Sequence, residues 1–294
     1  MKKFLTLLIG VGSVLSSVSV VHGHSAISRQ PPKLVVQIVV SQMRYDYLLR
    51  FADNFGERGF HALVREGSLC KRASYDYALT RTGSGLATLT TGANPSMHGV
   101  VGERWFNYTT GEAIDLAADK KAFTVGSDEY DGQFSPRGLI AGTVGDQLKA
   151  VYRDSKVVSI AFDPVSAVVA GGHSADAVYW LNGKNGKWVT SDYYVSALPQ
   201  WVEKFNEEGA VVGYSAQKWE ISRPLKAYHN DVYTDISIDT SWKLSFDFLT
   251  RKKYDYDRLR SSPAANTLVR DFAVQSIIYE GLGNDDAPDV LNLV

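Results

Sequence analysis

The sequence predicts an α/β fold built on a doubly wound, mainly parallel sheet, and three observations predict it. Lys33–Val40 (KLVVQIVV) and Lys156–Phe162 (KVVSIAF) are near-continuous β-branched runs, and Val290–Val294 is a third apolar run. All three have the pattern of parallel strands buried on both faces. Segments of helical spacing lie between them, as in a strand–helix repeat. The composition is that of a folded chain: 45% of 294 residues are hydrophobic and 21% charged, which excludes a low-complexity or largely disordered polymer. With 31 basic against 32 acidic residues, a general electrostatic grip on nucleic acid is not expected. One cysteine, Cys70, offers neither an internal disulfide nor a thiolate cluster.

The elements follow in order. Met1-Lys2-Lys3 is a basic start before the apolar run Phe4–Val21, and Val21-His22-Gly23 suits signal-peptidase cleavage. An uncleaved anchor is the alternative, but the serines within the run and the lack of a basic flank after it favour a signal peptide over 1–23. The mature chain, 24–294, is then expected in the periplasm or the medium, with no membrane span. After the first strand, Tyr45–Phe55 and Phe60–Glu66 read as short helices, the second stopped by Gly67. Leu69–Tyr75 is a candidate strand. Thr82–Thr91 has helical spacing closed by Gly92, and Leu139–Tyr152 reads as a helix. Ala177–Leu181, the turn Asn182-Gly183-Lys184-Asn185-Gly186 and Trp188–Thr190 form a hairpin. From Gly209 to Pro263 aromatic and charged residues mix without period, as in an inserted cap. Ala265, Leu268, Phe272 and Ile277 then mark one face of a long helix ending at Gly281 or Gly283.

In a doubly wound sheet the functional crevice lies at the carboxyl ends of the strands. Ser41, Gln42, Met43 and Arg44 follow the first run, and Thr80-Arg81-Thr82-Gly83-Ser84-Gly85 opens a helix. A hydroxyl at a helix N-terminus faces free N–H groups and the positive end of the macrodipole. There it can serve as a nucleophile, hold a phosphate or simply cap the helix. The six histidines show no HxxxH or HxH spacing, so spacing alone supports no metal site, and His98 reads as a loop histidine bonded to backbone.

Read together, several segments resemble the alkaline phosphatase superfamily, in its branch of bacterial periplasmic phosphomonoesterases with a threonine nucleophile, near relatives of the nucleotide pyrophosphatase/phosphodiesterases. They are Pro32–Val36 through Gln42–Leu48, Thr80-x-Thr82 through Thr90-Thr91-Gly92, and Pro95-Ser96-Met97-His98-Gly99. Further along come Gly102-Glu103-Arg104-Trp105, Ser135-Pro136-Arg137, Ala170-Gly171-Gly172-His173, and Ser262-Pro263 through Glu280–Gly283. The resemblance implies an alkaline phosphatase-type sheet and a small phosphorylated substrate. It also implies two zinc ions flanking the phosphoryl group and a phosphothreonine intermediate.

Carried over residue by residue, Thr82 falls on the nucleophile. Ser41 falls on a metal-binding aspartate and is neutral. Glu103 replaces an asparagine that donates to a phosphate oxygen; Asp163 and Val165 replace a lysine and an arginine that hold the substrate. The family's remaining zinc ligands lie beyond the position of Val294, so the C-terminal half of the fold is expected to be absent and zinc not to bind stoichiometrically. Several readings stay open: a relative with impaired or lost turnover, either a non-catalytic periplasmic binding protein or the remnant of a disrupted gene; an active zinc-dependent phosphomonoesterase or phosphodiesterase working through a Thr82 phosphoenzyme; and a chain completed by a separate polypeptide. An incomplete sheet is further expected to leave an apolar edge at Val290–Val294 through which the protein aggregates or pairs.

Overall fold

The computed structural model describes residues 30–127, 133–217, 223 and 256–294. The leader 1–23 and most of the segment 209–263 lie outside them. From Pro32 onward the chain forms one compact unit.

Six strands make the main sheet: β1 (Leu34–Ile38), β4 (Thr124–Val125), β5 (Val157–Ala161), β6 (Ala177–Leu181), β7 (Trp188–Ser191) and β8 (Asp289–Leu293), in the order β1-β8-β5-β6-β7-β4. β1, β8, β5 and β6 run parallel, while β7 and β4 join antiparallel. A separate hairpin pairs β2 (Arg104–Asn107) with β3 (Glu112–Asp115). The α/β architecture with a mostly parallel sheet is therefore present.

Alternation along the central strands divides the core, because successive side chains of a strand point to opposite faces. Val158 and Ile160 of β5, Tyr179 and Leu181 of β6, and Leu291 of β8 face one cluster. Two helices cover that cluster: α7 (Gln200–Glu207) through Val202 and α9 (Pro263–Tyr279) through Leu268 and Phe272. Phe272 stacks on Trp188 with ring centroids 4.1 Å apart. Val157, Ala161, Val178, Trp180 and Val290 face the other side, under α6 (Pro164–Gly171) and, through Leu148, α5 (Val144–Val151). Asp289, almost fully buried, accepts from the Lys156 and Gly283 N–H groups, both at 2.7 Å, and so joins the starts of β5 and β8.

Most elements stand where the sequence put them. α1 (Tyr45–Arg50), α2 (Phe60–Glu66) and α3 (Thr82–Thr91) match, and Gly92 closes α3 in the left-handed conformation at φ +66°. The 182–186 turn also holds, with Gly186 at φ +70° against the Tyr256 ring, where a Cβ would lie 2.9 Å from ring carbons. The two described ends of the 209–263 segment, α8 (Ala210–Ser215) and a 3-10 turn at Tyr256–Ser261, pack into the α9 cluster through Val211, Tyr256 and Leu259.

Four expectations are corrected. Leu69–Tyr75 forms no strand; it runs as irregular chain and turns. The helix expected from Leu139 starts at Val144, because the Thr143 hydroxyl accepts from the Asp146 N–H while the Asp146 carboxylate accepts from the Thr143 N–H, a reciprocal capping box that fixes the boundary. Val290–Val294 supplies no edge: β8 is held between β1 and β5, and Leu291 is fully buried. Among the described residues β1 and β4 are the two edge strands of this sheet, and the apolar run of β1 is not buried on both faces. Val35 and Val36 are each 43% exposed and Ile38 67%.

Candidate active site

The site is organised by the start of α3. Its first turns carry small buried residues, Gly83, Ser84, Gly85 and Ala87, which let the helix lie close to α6; Leu86 and Ala87 pack with Val169 and Ala170. From behind, the segment before α3 grips it. The Ser84 hydroxyl donates to the Leu79 carbonyl at 2.9 Å, and the Tyr77 hydroxyl lies 3.2 Å from the Ser84 carbonyl and 2.9 Å from Thr88 Oγ1.

His98, at the end of the short helix α4 (Pro95–His98), completes this brace. It is fully buried; its Nδ1 accepts from the Val100 N–H at 3.1 Å, which leaves Nε2 to donate to Thr88 Oγ1 at 3.0 Å. Burial pushes the imidazole below its ordinary pKa and keeps it neutral, against a smaller opposing effect of its backbone hydrogen bond. The sequence reading of His98 as bonded to backbone holds, but its tie to α3 was invisible. Thr88 and His98 are ten positions apart, and no local pattern links them.

Thr82 is the first residue inside α3. Arg81 holds the N-cap position with no side-chain bond closing it, and Thr82 is exposed. The threonine is thus not the cap. The N–H after it, that of Gly83, is capped by Glu103, whose Oε1 accepts at 2.9 Å. Gly83 makes this approach feasible: a Cβ there would lie 3.1 Å from the Glu103 nitrogen and from the Gly102 carbonyl carbon. The structure therefore brings Thr82 and Glu103 to one helix terminus.

Asp163 and Val165 serve the start of α6. The Asp163 carboxylate accepts from the Ser166 N–H at 2.9 Å as an N-cap, and Val165 packs against two apolar clusters. Ser41 lies in the exposed turn after β1, next to Gln42 at φ +60°.

Among the described residues no three His, Cys, Asp or Glu side chains converge to hold a metal. Both nitrogens of His98 are committed within the protein, and His173 Nε2 lies 2.9 Å from the Leu139 carbonyl oxygen. With a neutral serine at the turn after β1, these donors do not compose a two-zinc centre. The chemistry left to them is that of an exposed hydroxyl beside an anion-capped helix N-terminus.

A second polar centre, unforeseen from the sequence, stands beside α5 and α6. Asp146 accepts from the N–H groups of Thr143, His173 and Ser174 and from the Ser174 hydroxyl, at 2.6–2.9 Å. Burial acts to raise its carboxyl, but the Ser174 hydroxyl and the three N–H groups more than offset this and hold it below the usual carboxylate range. Its one sequence signal was the T-x-x-D of a capping box.

The profile of the type I phosphodiesterase/nucleotide pyrophosphatase family matches residues 35–275, which takes in every element of the site. The chain belongs to that family. Its relatives place it in the alkaline phosphatase superfamily. It is 33% identical over 88% of its length to alkaline phosphatase PhoV of Synechococcus elongatus and 32% identical over 89% to alkaline phosphatase PafA of Elizabethkingia meningoseptica. It is 38% identical over 87% of its length to a Myroides odoratus protein named as a calcium-transporting ATPase. The crystal structure of PafA superposes with a TM-score of 0.79, covering 89% of this chain and 52% of that one. The chain spans about half the length of these relatives.

Proposed function

We propose that this phosphodiesterase-family chain is a phosphoester hydrolase by descent whose own turnover of phosphate monoesters is impaired or lost. The observation that carries this reading is the Glu103 carboxylate on the Gly83 N–H. A helix N-terminus attracts a phosphoryl group through its free N–H donors and its positive dipole end. Here a resident anion already takes a donor next to Thr82. A second unit charge about 4 Å away would be disfavoured by about 1 to 4 kcal/mol between water-like and protein-surface dielectric, or roughly fivefold to a thousandfold in affinity.

Asp163 and Val165 point the same way. Where the resemblance implies two cations on the substrate, one residue caps α6 and the other packs into apolar clusters. Ser41 withdraws a charged ligand from the position after β1. The zinc pair implied by the superfamily is on this reading not held stoichiometrically by the chain as it stands, and a Thr82 phosphoenzyme would form slowly or not at all. Export to the periplasm or medium through the leader 1–23 belongs to the same reading; N-terminal sequencing of the mature protein starting elsewhere than near His24 counts against it.

Activity itself is tested with purified protein, a chromogenic phosphate monoester and added zinc. The expected result is no hydrolysis above buffer and no stoichiometric zinc by metal analysis. Turnover that disappears in Thr82→Ala would overturn the reading and establish the active enzyme instead.

A further inference from the structure

We propose that the groove between α7 and α9 is a binding site for a guanidinium-bearing ligand. It is separate from the candidate active site and does not depend on whether that site turns over. The groove lies over β6 and β7, since Trp201 of α7 meets Tyr179 of β6 edge-on and Phe272 of α9 stacks on Trp188 of β7. Its end at Tyr279 is beside the start of β5, where Lys156 Nζ donates to the Glu280 carbonyl at 2.6 Å. Asp163 and Val165, which follow β5, stand at the opposite end of that strand.

Shape and lining give the chemistry of the ligand. The groove has a volume of about 830 Å³, within the range of small-molecule sites. Its apolar wall is aromatic, with Trp201 and Phe205 from α7 and Tyr279 from α9. The Trp201 and Tyr279 rings are parallel within 6°, their centroids 6.0 Å apart, and Tyr279 is 59% exposed, so ring surface is open to a ligand. Glu203, Glu207 and Glu208 of α7 border the same groove. The helix ends at Glu207, so the negative end of its dipole adds to their field. Lys204 also lines the groove, but it pairs with Glu208 at 3.9 Å. Glu203 and Glu207 form no ion pair among the described residues.

Two polar groups short of partners lie behind the aromatic wall. Tyr179 Oη and Ser276 Oγ are fully buried and have no hydrogen-bond partner among the described residues. The Tyr179 ring meets Trp201 with centroids 5.8 Å apart. Ser276 lies on α9 between Phe272 and Tyr279, whose rings are 4.9 and 6.0 Å from that of Trp201. Trp201 thus stands between both hydroxyls and the groove, held there by its Nε1–H, which donates to Glu280 Oε1 at 2.7 Å. A buried hydroxyl without a partner is uncommon and calls for one. Aromatic faces, unpaired carboxylates and hydroxyl oxygens lacking a donor are together what a guanidinium matches. It is planar, stacks on aromatic rings, and carries five N–H donors and no acceptor. An anionic ligand would meet the same carboxylates as like charges.

The experiment titrates the full chain, isotope-labelled, with Nα-acetyl-arginine amide. The expected result is a saturable shift of the Trp201 indole N–H and the Gln275 side-chain amide by two-dimensional NMR. Nα-acetyl-citrulline amide, of the same shape but with a neutral urea, should shift neither. Nα-acetyl-lysine amide, which lacks the planar fork, should bind several-fold more weakly. Glu203→Gln combined with Glu207→Gln removes two exposed charges and is expected to weaken binding about fivefold without lowering the thermal melt. Tyr279→Ala should weaken it about twofold to fivefold. A tetra-arginine peptide that binds at least about tenfold tighter than the single residue identifies an arginine-rich polypeptide as the source of the guanidinium, and a smaller gain identifies a free guanidino compound. Equal binding of the citrulline or lysine compound overturns the proposal. So do the absence of any shift, shifts confined to other parts of the molecule, or full affinity in the double variant.

Discussion

At the residue scale, the two side chains that set the character of the site are Glu103 and His98. Glu103 stabilises α3 as an anionic cap, an interaction of about 0.5 to 1 kcal/mol for a partly exposed carboxylate at a helix N-terminus. Glu103→Gln keeps an oxygen that can accept from Gly83 while removing the charge. Inorganic phosphate titrated by calorimetry should then bind at least about fivefold tighter than to the wild type, with the melting temperature lowered by only a few degrees. Unchanged phosphate affinity would show that the carboxylate is not what excludes the anion.

His98 gives a pH dependence whose sign is fixed. Its folded-state pKa is depressed, so below about 6.5 the unfolded chain binds the proton more readily than the folded one. The neutral ring's contribution is fully present above that pH and is lost as pH falls through it toward the lower folded value. Protonating Nδ1 would also break its bond from the Val100 N–H. The urea midpoint is therefore expected to drop between pH 7.5 and 5, and the drop should shrink in a His98→Gln variant. The helix start at Thr82 was legible because the small residues of Thr82–Thr91 have helical spacing and Gly92 closes them, which is a local pattern. The caps made by Glu103 and the bond from His98 to Thr88 were not, since their partners come from other turns of the chain.

At the element scale, α5 shows why boundaries resist reading. Its helical pattern extends back to Leu139, but Gly138 sits where a Cβ would lie 2.0 Å from the Leu116 carbonyl oxygen, and Thr143 with Asp146 starts the helix later. The same carboxylate then anchors the 172–174 turn after α6, so one side chain orders two element ends. Asp146→Ala leaves the Thr143, His173 and Ser174 N–H groups without their acceptor and is expected to cost about 2 to 4 kcal/mol by chemical denaturation. Asp146→Asn, which keeps one acceptor oxygen, should cost less. Leu69–Tyr75 failed as a strand for a related reason: a β-segment exists only where a neighbour offers a ladder, and its chain instead runs on to Tyr75 and Tyr77, which brace α3.

At the scale of the whole molecule, stability is unevenly distributed. β5, β6, β7 and α6 are buried throughout or nearly so, and the Trp188–Phe272 stack lies at the centre of one layer. Phe272→Ala removes a fully buried ring and is expected to cost about 3 to 5 kcal/mol. In contrast, α1 and α2 bury nothing, so their amides should exchange by local opening far faster than those of β5 and β6. Uniform protection across the chain in hydrogen-exchange mass spectrometry would contradict this picture.

By itself the sequence determined the strand–helix alternation, the hairpin, the long last helix and the helix-start position of Thr82. Each of these rests on periodicity or on turn and cap chemistry that acts over a few residues. Only the tertiary structure decided that β8 lies inside the sheet and β1 at its edge, that Glu103 answers the Gly83 N–H, and that Asp163 is a cap. Strand order and the pairing of distant polar groups depend on which segments meet in space, and an apolar run looks the same in sequence whether its neighbours are present or not.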